Sequence, residues 1–191
     1  MGGCLATMNT IDYCVRALKE IRTTILKVDK DETETLIESI RRANRIFVSG
    51  SGRTFLMLKA FAMRMMHLGY TVYVVGEIVT PAIAKGDLLL VGSGSGETQT
   101  VAVVAKQAKA CGASVAAITI FPDSTIAGIA DFTVQIPGKT TKRDSGVKSM
   151  QPGGNLFEQS LLIVLDGLIA RLNESARQGI DSGFPLHANL E

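Results

Sequence analysis

Residues 88–98 read LLLVGSGSGET, an apolar run that passes straight into alternating glycine and serine and then into a helix-forming stretch. Glycines let backbone N–H groups approach an anion, and the amino end of a following helix adds a favourable dipole. Ser93, Ser95 and Thr98 add hydroxyl donors. No lysine follows the glycines as a Walker A loop requires, so this neutral nest suits a phosphate monoester better than a nucleoside triphosphate with its magnesium. An ordinary strand-to-helix turn needs one glycine and one capping serine. Gly92, Gly94 and Gly96 interleaved with Ser93 and Ser95 exceed that need. The expectation is a phosphate loop built from Ser93, Gly94, Ser95, Gly96, Glu97 and Thr98.

A second turn of the same kind, VSGSGRT at 48–54, ends an earlier apolar run. If the two strands are neighbours, Ser51 and Arg53 face the first loop across one pocket. Arg53 near a helix start opposes the local dipole but suits a substrate anion or hydroxyl; its plain alternative is a solvated surface arginine. Neither turn completes the dinucleotide fingerprint GxGxxG, since Phe55 and Gln99 stand where the third glycine would be. Glu77 imitates the ribose-binding acid of that fold, which leaves an NAD-dependent enzyme as a weaker reading.

Glu158 follows a glycine pair in GGNLFEQ, residues 153–159. Asn155 and Glu158 can form a capping box. Alternatively the loop delivers the carboxylate to a cleft beside Leu156 and Phe157, where partial desolvation favours a general base. His67 closes a helical stretch, where a histidine commonly serves the carboxyl-terminal dipole, and His187 lies near the chain end. With Cys4, Cys14 and Cys111 in no CxxC spacing, these histidines offer no zinc site, and no metal or cofactor is expected.

The elements that must position these residues follow from the rhythm of the chain. Asn9 can cap a helix over 10–27 with Ile11, Val15, Leu18, Ile21, Ile25 and Leu26 on one face. Asp31 with Glu34 reads as the start of a second helix ending near Asn44. Short apolar runs then recur at 45–49, 71–75, 87–91, 114–119 and 132–136, with helix-length segments at 54–68, 98–110 and 124–130. The link 75–87 contains Pro81 and has room for at most a brief helical turn. Apolar strands alternating with helices predict an α/β fold, a three-layer α/β/α sandwich around a five-stranded parallel sheet preceded by N-terminal helices. Residues 137–154 read as one long polar loop, a length that is often functional, and a final helix runs over 155–174. The chain reads as a single domain, 1–191, with 1–8 an N-terminal extension and 176–191 a C-terminal tail.

Composition agrees. Of 191 residues 46% are hydrophobic and 5% aromatic, so the core must be aliphatic. Twenty basic and 18 acidic residues are spread without a basic block, which argues against nucleic acid as partner. No signal peptide and no membrane-spanning run is legible, and the odd, scattered cysteines suit a reducing compartment. A cytoplasmic protein with no membrane partner is expected.

The run FAMRMMHLG at 61–69, Val75-Gly76-Glu77 with Thr80-Pro81, the 92–98 loop, Gln151-Pro152-x-Gly154-x-x-Phe157-Glu158 and His187-Ala-Asn-Leu190 together resemble the 6-phospho-3-hexuloisomerase family of sugar-isomerase (SIS) proteins. The similarity extends over essentially the whole chain apart from residues 1–8. Ser-Gly-Ser-Gly alone marks many SIS proteins; its combination with the other segments is far more specific. The resemblance implies the SIS fold and interconversion of D-arabino-3-hexulose 6-phosphate with D-fructose 6-phosphate, the second step of formaldehyde fixation in the ribulose monophosphate pathway. It implies a metal-independent homodimer or homotetramer with active sites near subunit boundaries, and 3-hexulose-6-phosphate synthase as functional partner. By position it makes Ser93–Thr98 the phosphate loop, Ser51 and Arg53 substrate contacts, Glu158 the proton acceptor, and His67 and His187 further catalytic candidates. A SIS isomerase of an aldose phosphate and a non-catalytic sugar-phosphate sensor are the alternatives.

Overall fold

The computed structural model describes residues 8–175. Two helices lead, α1 (Thr10–Ile25) and α2 (Lys30–Arg42). There follow β1 (Ile46–Gly50), α3 (Gly52–His67), β2 (Val72–Val74), β3 (Leu88–Gly92), α4 (Gln99–Ala110), β4 (Ser114–Thr119), α5 (Thr125–Ile129), β5 (Phe132–Gln135) and α6 (Asn155–Ser175). The five strands form one parallel sheet in the order β2-β1-β3-β4-β5. Residues 75–87, between β2 and β3, contain no helix.

Strand alternation divides the core in two, because successive side chains point to opposite faces. Val48, Leu88, Leu90, Ala116, Ile118 and Val134 pack with α2, α3 and α6. Phe47, Leu89, Val91, Val115 and Ala117 pack with α4 and α5. Helices on both faces explain why β3 and β4 read as continuous apolar runs.

Two details depart from the sequence reading. Asp29, not Asp31, caps α2, accepting the Asp31 N–H at 2.7 Å. Asn9 does cap α1 in a reciprocal box with Asp12, but the apolar face expected of that helix is mostly uncovered. Only Ile21 and Thr24 of α1 are buried, while Ile11 is 68% and Leu18 65% exposed. The helix lies along α6, outside the layer that touches the sheet.

Candidate active site

The register of β1 and β3 sets Gly50 opposite Gly92, so the two glycine-serine turns open side by side at the carboxyl edge of the sheet. Each turn runs directly into a helix. Ser51 and Thr98 are the N-cap residues of α3 and α4, and neither side chain bonds its own helix. The first-turn N–H groups of a helix have no intrahelical partner. Two helix amino ends therefore face one space with donors and dipoles available to an anion.

The serine loop is pre-shaped. Ser93 Oγ accepts the Gly96 N–H at 3.1 Å and lies 3.1 Å from Thr98 Oγ1. Ser95 Oγ accepts the Glu97 N–H at 3.3 Å. Gly96 closes the turn at φ +67°, and a Cβ there would stand 1.9 Å from Ser124 Oγ. Only glycine satisfies both the left-handed backbone and that approach.

The opposite wall is the start of α6. The Glu158 N–H bonds the Gly154 carbonyl at 3.0 Å, so Gly154 rather than Asn155 holds the N-cap position of α6. The Glu158 carboxylate does not complete a capping box; Oε2 accepts from Arg53 Nε at 2.7 Å, across the space between α6 and α3. Oε1 lies 3.2 Å from where a Cβ on residue 154 would be, so the glycine leaves room for the carboxylate. The Glu158 side chain is 15% exposed and that of Arg53 52%. The carboxylate is thus sheltered and held by a partner that remains accessible to solvent.

A cavity of about 200 Å³ collects these groups. Ser51, Arg53, Ser93, Gly94, Ser95, Thr98 and Glu158 all line it. Gly96 and Glu97 do not. Glu97 turns away to accept the Thr125 N–H and hydroxyl at 2.9 and 2.5 Å, bonds that hold its carboxyl below the usual range. Both residues shape the loop from behind. His67 stands in the last turn of α3, fourteen residues beyond Arg53, which is about 21 Å along the axis. It is 3% exposed, and it is not among the residues that line the cavity. His187 lies outside the described residues. Lys139, Thr140, Thr141 and Lys142 also line the cavity, though in sequence they read only as part of a long polar loop. The available signal was their position just after β5, at the same carboxyl edge as the two turns.

A glycine-serine turn facing a sheltered carboxylate at the carboxyl edge of an α/β/α sandwich is the architecture of a SIS domain. Residues 39–163 match the SIS domain. The chain is 42% identical to the 3-hexulose-6-phosphate isomerase of Bacillus subtilis (strain 168), over 96% of this chain and 100% of that one. It is 44% identical to the 3-hexulose-6-phosphate isomerase of Mycobacterium gastri, over 90% and 86% of the two chains. A crystal structure from Methanococcus jannaschii, whose description infers a 3-hexulose-6-phosphate isomerase function, superposes with a TM-score of 0.81 at 34% identity, covering 93% of this chain and 98% of that one. The chain belongs to the SIS domain family, among the 3-hexulose-6-phosphate isomerases.

Proposed function

We propose that the chain is an isomerase interconverting D-arabino-3-hexulose 6-phosphate and D-fructose 6-phosphate, with Glu158 as the base. The observation that carries this reading is the meeting of the serine loop and the Arg53–Glu158 pair in one cavity. Phosphate on Ser93, Ser95, Thr98 and the helix amino ends anchors the sugar and fixes the reacting carbons relative to the carboxylate. Glu158 takes the proton from C2, the electron pair of that C–H bond forms the C2–C3 double bond, and the C3 carbonyl oxygen becomes an enediolate oxygen. Arg53 stabilises that developing charge. After the O2 proton has passed to O3, the same carboxyl returns its proton to C3 and the ketone stands at C2. His187 is our candidate for the oxygen-to-oxygen transfer, by the ordinary pKa of imidazole.

A sugar-phosphate sensor would need the serines but not a carboxylate held over the sugar by an arginine, so the Arg53–Glu158 pair favours catalysis. This reading places the enzyme in the cytoplasm beside a 3-hexulose-6-phosphate synthase that supplies its substrate. It also takes the protein to be a homodimer or homotetramer, for which exposed Leu56, Met63, Ile78 and Val79 offer apolar surface. Among the described residues no helix is long and apolar enough to cross a membrane. The test is conversion of D-arabino-3-hexulose 6-phosphate to fructose 6-phosphate, read by a coupled dehydrogenase. Turnover supports the assignment, and its absence with a folded protein overturns it.

A further inference from the structure

We infer that Lys139 and Lys142 are the counter-cations of the substrate phosphate, carried on a segment stretched across the cavity between fixed anchors. The inference rests on the reading of this cavity as a sugar-phosphate site. A phosphate monoester carries close to two negative charges at neutral pH. The loop residues that line the cavity, Ser93, Gly94, Ser95 and Thr98, are neutral, and the lining contains three cations, Arg53, Lys139 and Lys142. Arg53 is committed to Glu158 at 2.7 Å. Among the described residues no carboxylate forms an ion pair with Lys139 or Lys142. Adding both lysines to the paired Arg53 and Glu158 gives the lining a net charge of +2, which matches the dianion.

The segment is placed for this task by its ends. Gly138 presses on the first turn of α6, where an added Cβ would stand 2.9 Å from Phe157 Cβ, and its carbonyl accepts the Ser145 hydroxyl at 2.6 Å. Arg143 forks onto Asp123 at 3.1 and 2.7 Å and lies over the Phe121 ring at 4.3 Å, which ties the strap to the turn after β4. Between these anchors residues 139–142 line both the cavity of the site and a second hollow of about 360 Å³. The backbone at both ends is held while the lysine-bearing stretch keeps free space in which to close on a ligand. Lysine is a point charge on a flexible stem, which suits a counter-ion that moves to its anion.

The test uses the full-length protein and three variants: Lys139→Met with Lys142→Met, Lys139→Arg with Lys142→Arg, and the single Lys142→Met. Fructose 6-phosphate turnover gives kcat and KM, competitive inhibition gives Ki for inorganic phosphate, and calorimetry gives phosphate affinity without turnover. The double methionine variant is expected to raise KM and Ki about tenfold or more, as loss of charge-assisted hydrogen bonds allows, with kcat within about threefold. The double arginine variant is expected to stay near wild type, and the single variant to fall between. Unchanged KM and Ki in the double methionine variant overturn the inference. So does a fall in kcat alone, which would put the lysines at the reacting carbons. A wild type that binds inorganic phosphate but turns over no hexulose phosphate defeats the isomerase reading alone, and calorimetry on the variants still decides the role of the lysines.

Discussion

Arg53 and Glu158 are 105 residues apart in the chain and 2.7 Å apart in space. The first is brought by the opening turn of α3 and the second by the opening turn of α6, two helices packed side by side on one face of the sheet. In the proposed mechanism the pair aims the carboxylate before substrate arrives, so its loss is a loss of orientation. Arg53→Met is expected to lower kcat about a hundredfold, the scale of a small misplacement at a reacting centre. Arg53→Lys recovers only part, because an ammonium lacks the planar fork. Inhibition by inorganic phosphate should hardly change in either variant. Steady-state kinetics with phosphate as inhibitor check this, and an Arg53→Met enzyme with wild-type kcat would remove Arg53 from the account.

Gly96 links loop shape to stability. An alanine there faces both the positive φ and the Ser124 side chain, whose Oγ would be 1.9 Å from the new Cβ. The strained backbone alone costs about 1–3 kcal/mol. Gly96→Ala is therefore expected to lower Tm by about 5 °C or more, and to raise KM as the serines shift. Adding Ser124→Gly should restore part of the loss, since it removes the clash and leaves the φ strain. Thermal melts of the single and double variants measure this.

The parts legible in the sequence were those set by local chemistry. Residues 114–119 read as a strand and form β4, because both faces are buried and the run is uninterrupted. The two glycine-serine turns were legible because their composition exceeds the needs of a turn. What stayed hidden depends on tertiary contacts. Glu97 belongs to the loop by sequence, but Thr125, 28 residues on, draws its side chain away from the cavity. The apolar face of α1 has a helical period that periodicity alone assigns to a core, yet the helix lies on α6 and leaves Ile11 and Leu18 exposed. The sequence leaves Glu158 open between a cap and a base, because Arg53, the partner that draws its carboxylate away from the cap, is distant in sequence.

Glu20 on α1 reaches the long loop ahead of α6. Its carboxylate accepts the Ser149 hydroxyl at 2.7 Å, the Met150 N–H at 3.0 Å and the Gln151 amide at 3.2 Å. Burial pushes the carboxyl up, but these three donors and nearby Arg16 outweigh it and hold the carboxyl below its ordinary value. A carboxyl lowered on folding stabilises the fold above its unfolded pKa, about 4.3, and loses that contribution as pH falls through the lowered folded value. Melting temperature should fall more steeply between about pH 5 and pH 3 in wild type than in Glu20→Gln, whose amide does not titrate. Parallel curves for the two proteins would show that ionisation of Glu20 is not linked to folding.

The most direct measurement is where deuterium enters fructose 6-phosphate when the protein is incubated with it in D2O. Proton abstraction toward a 2,3-enediol labels C3, whereas a 1,2-enediol, as an aldose isomerase would form, labels C1. The account predicts label at C3 for wild type and a rate of labelling reduced about a thousandfold in Glu158→Gln, with phosphate affinity retained. Label at C1, or undiminished labelling at C3 by the variant, would contradict it.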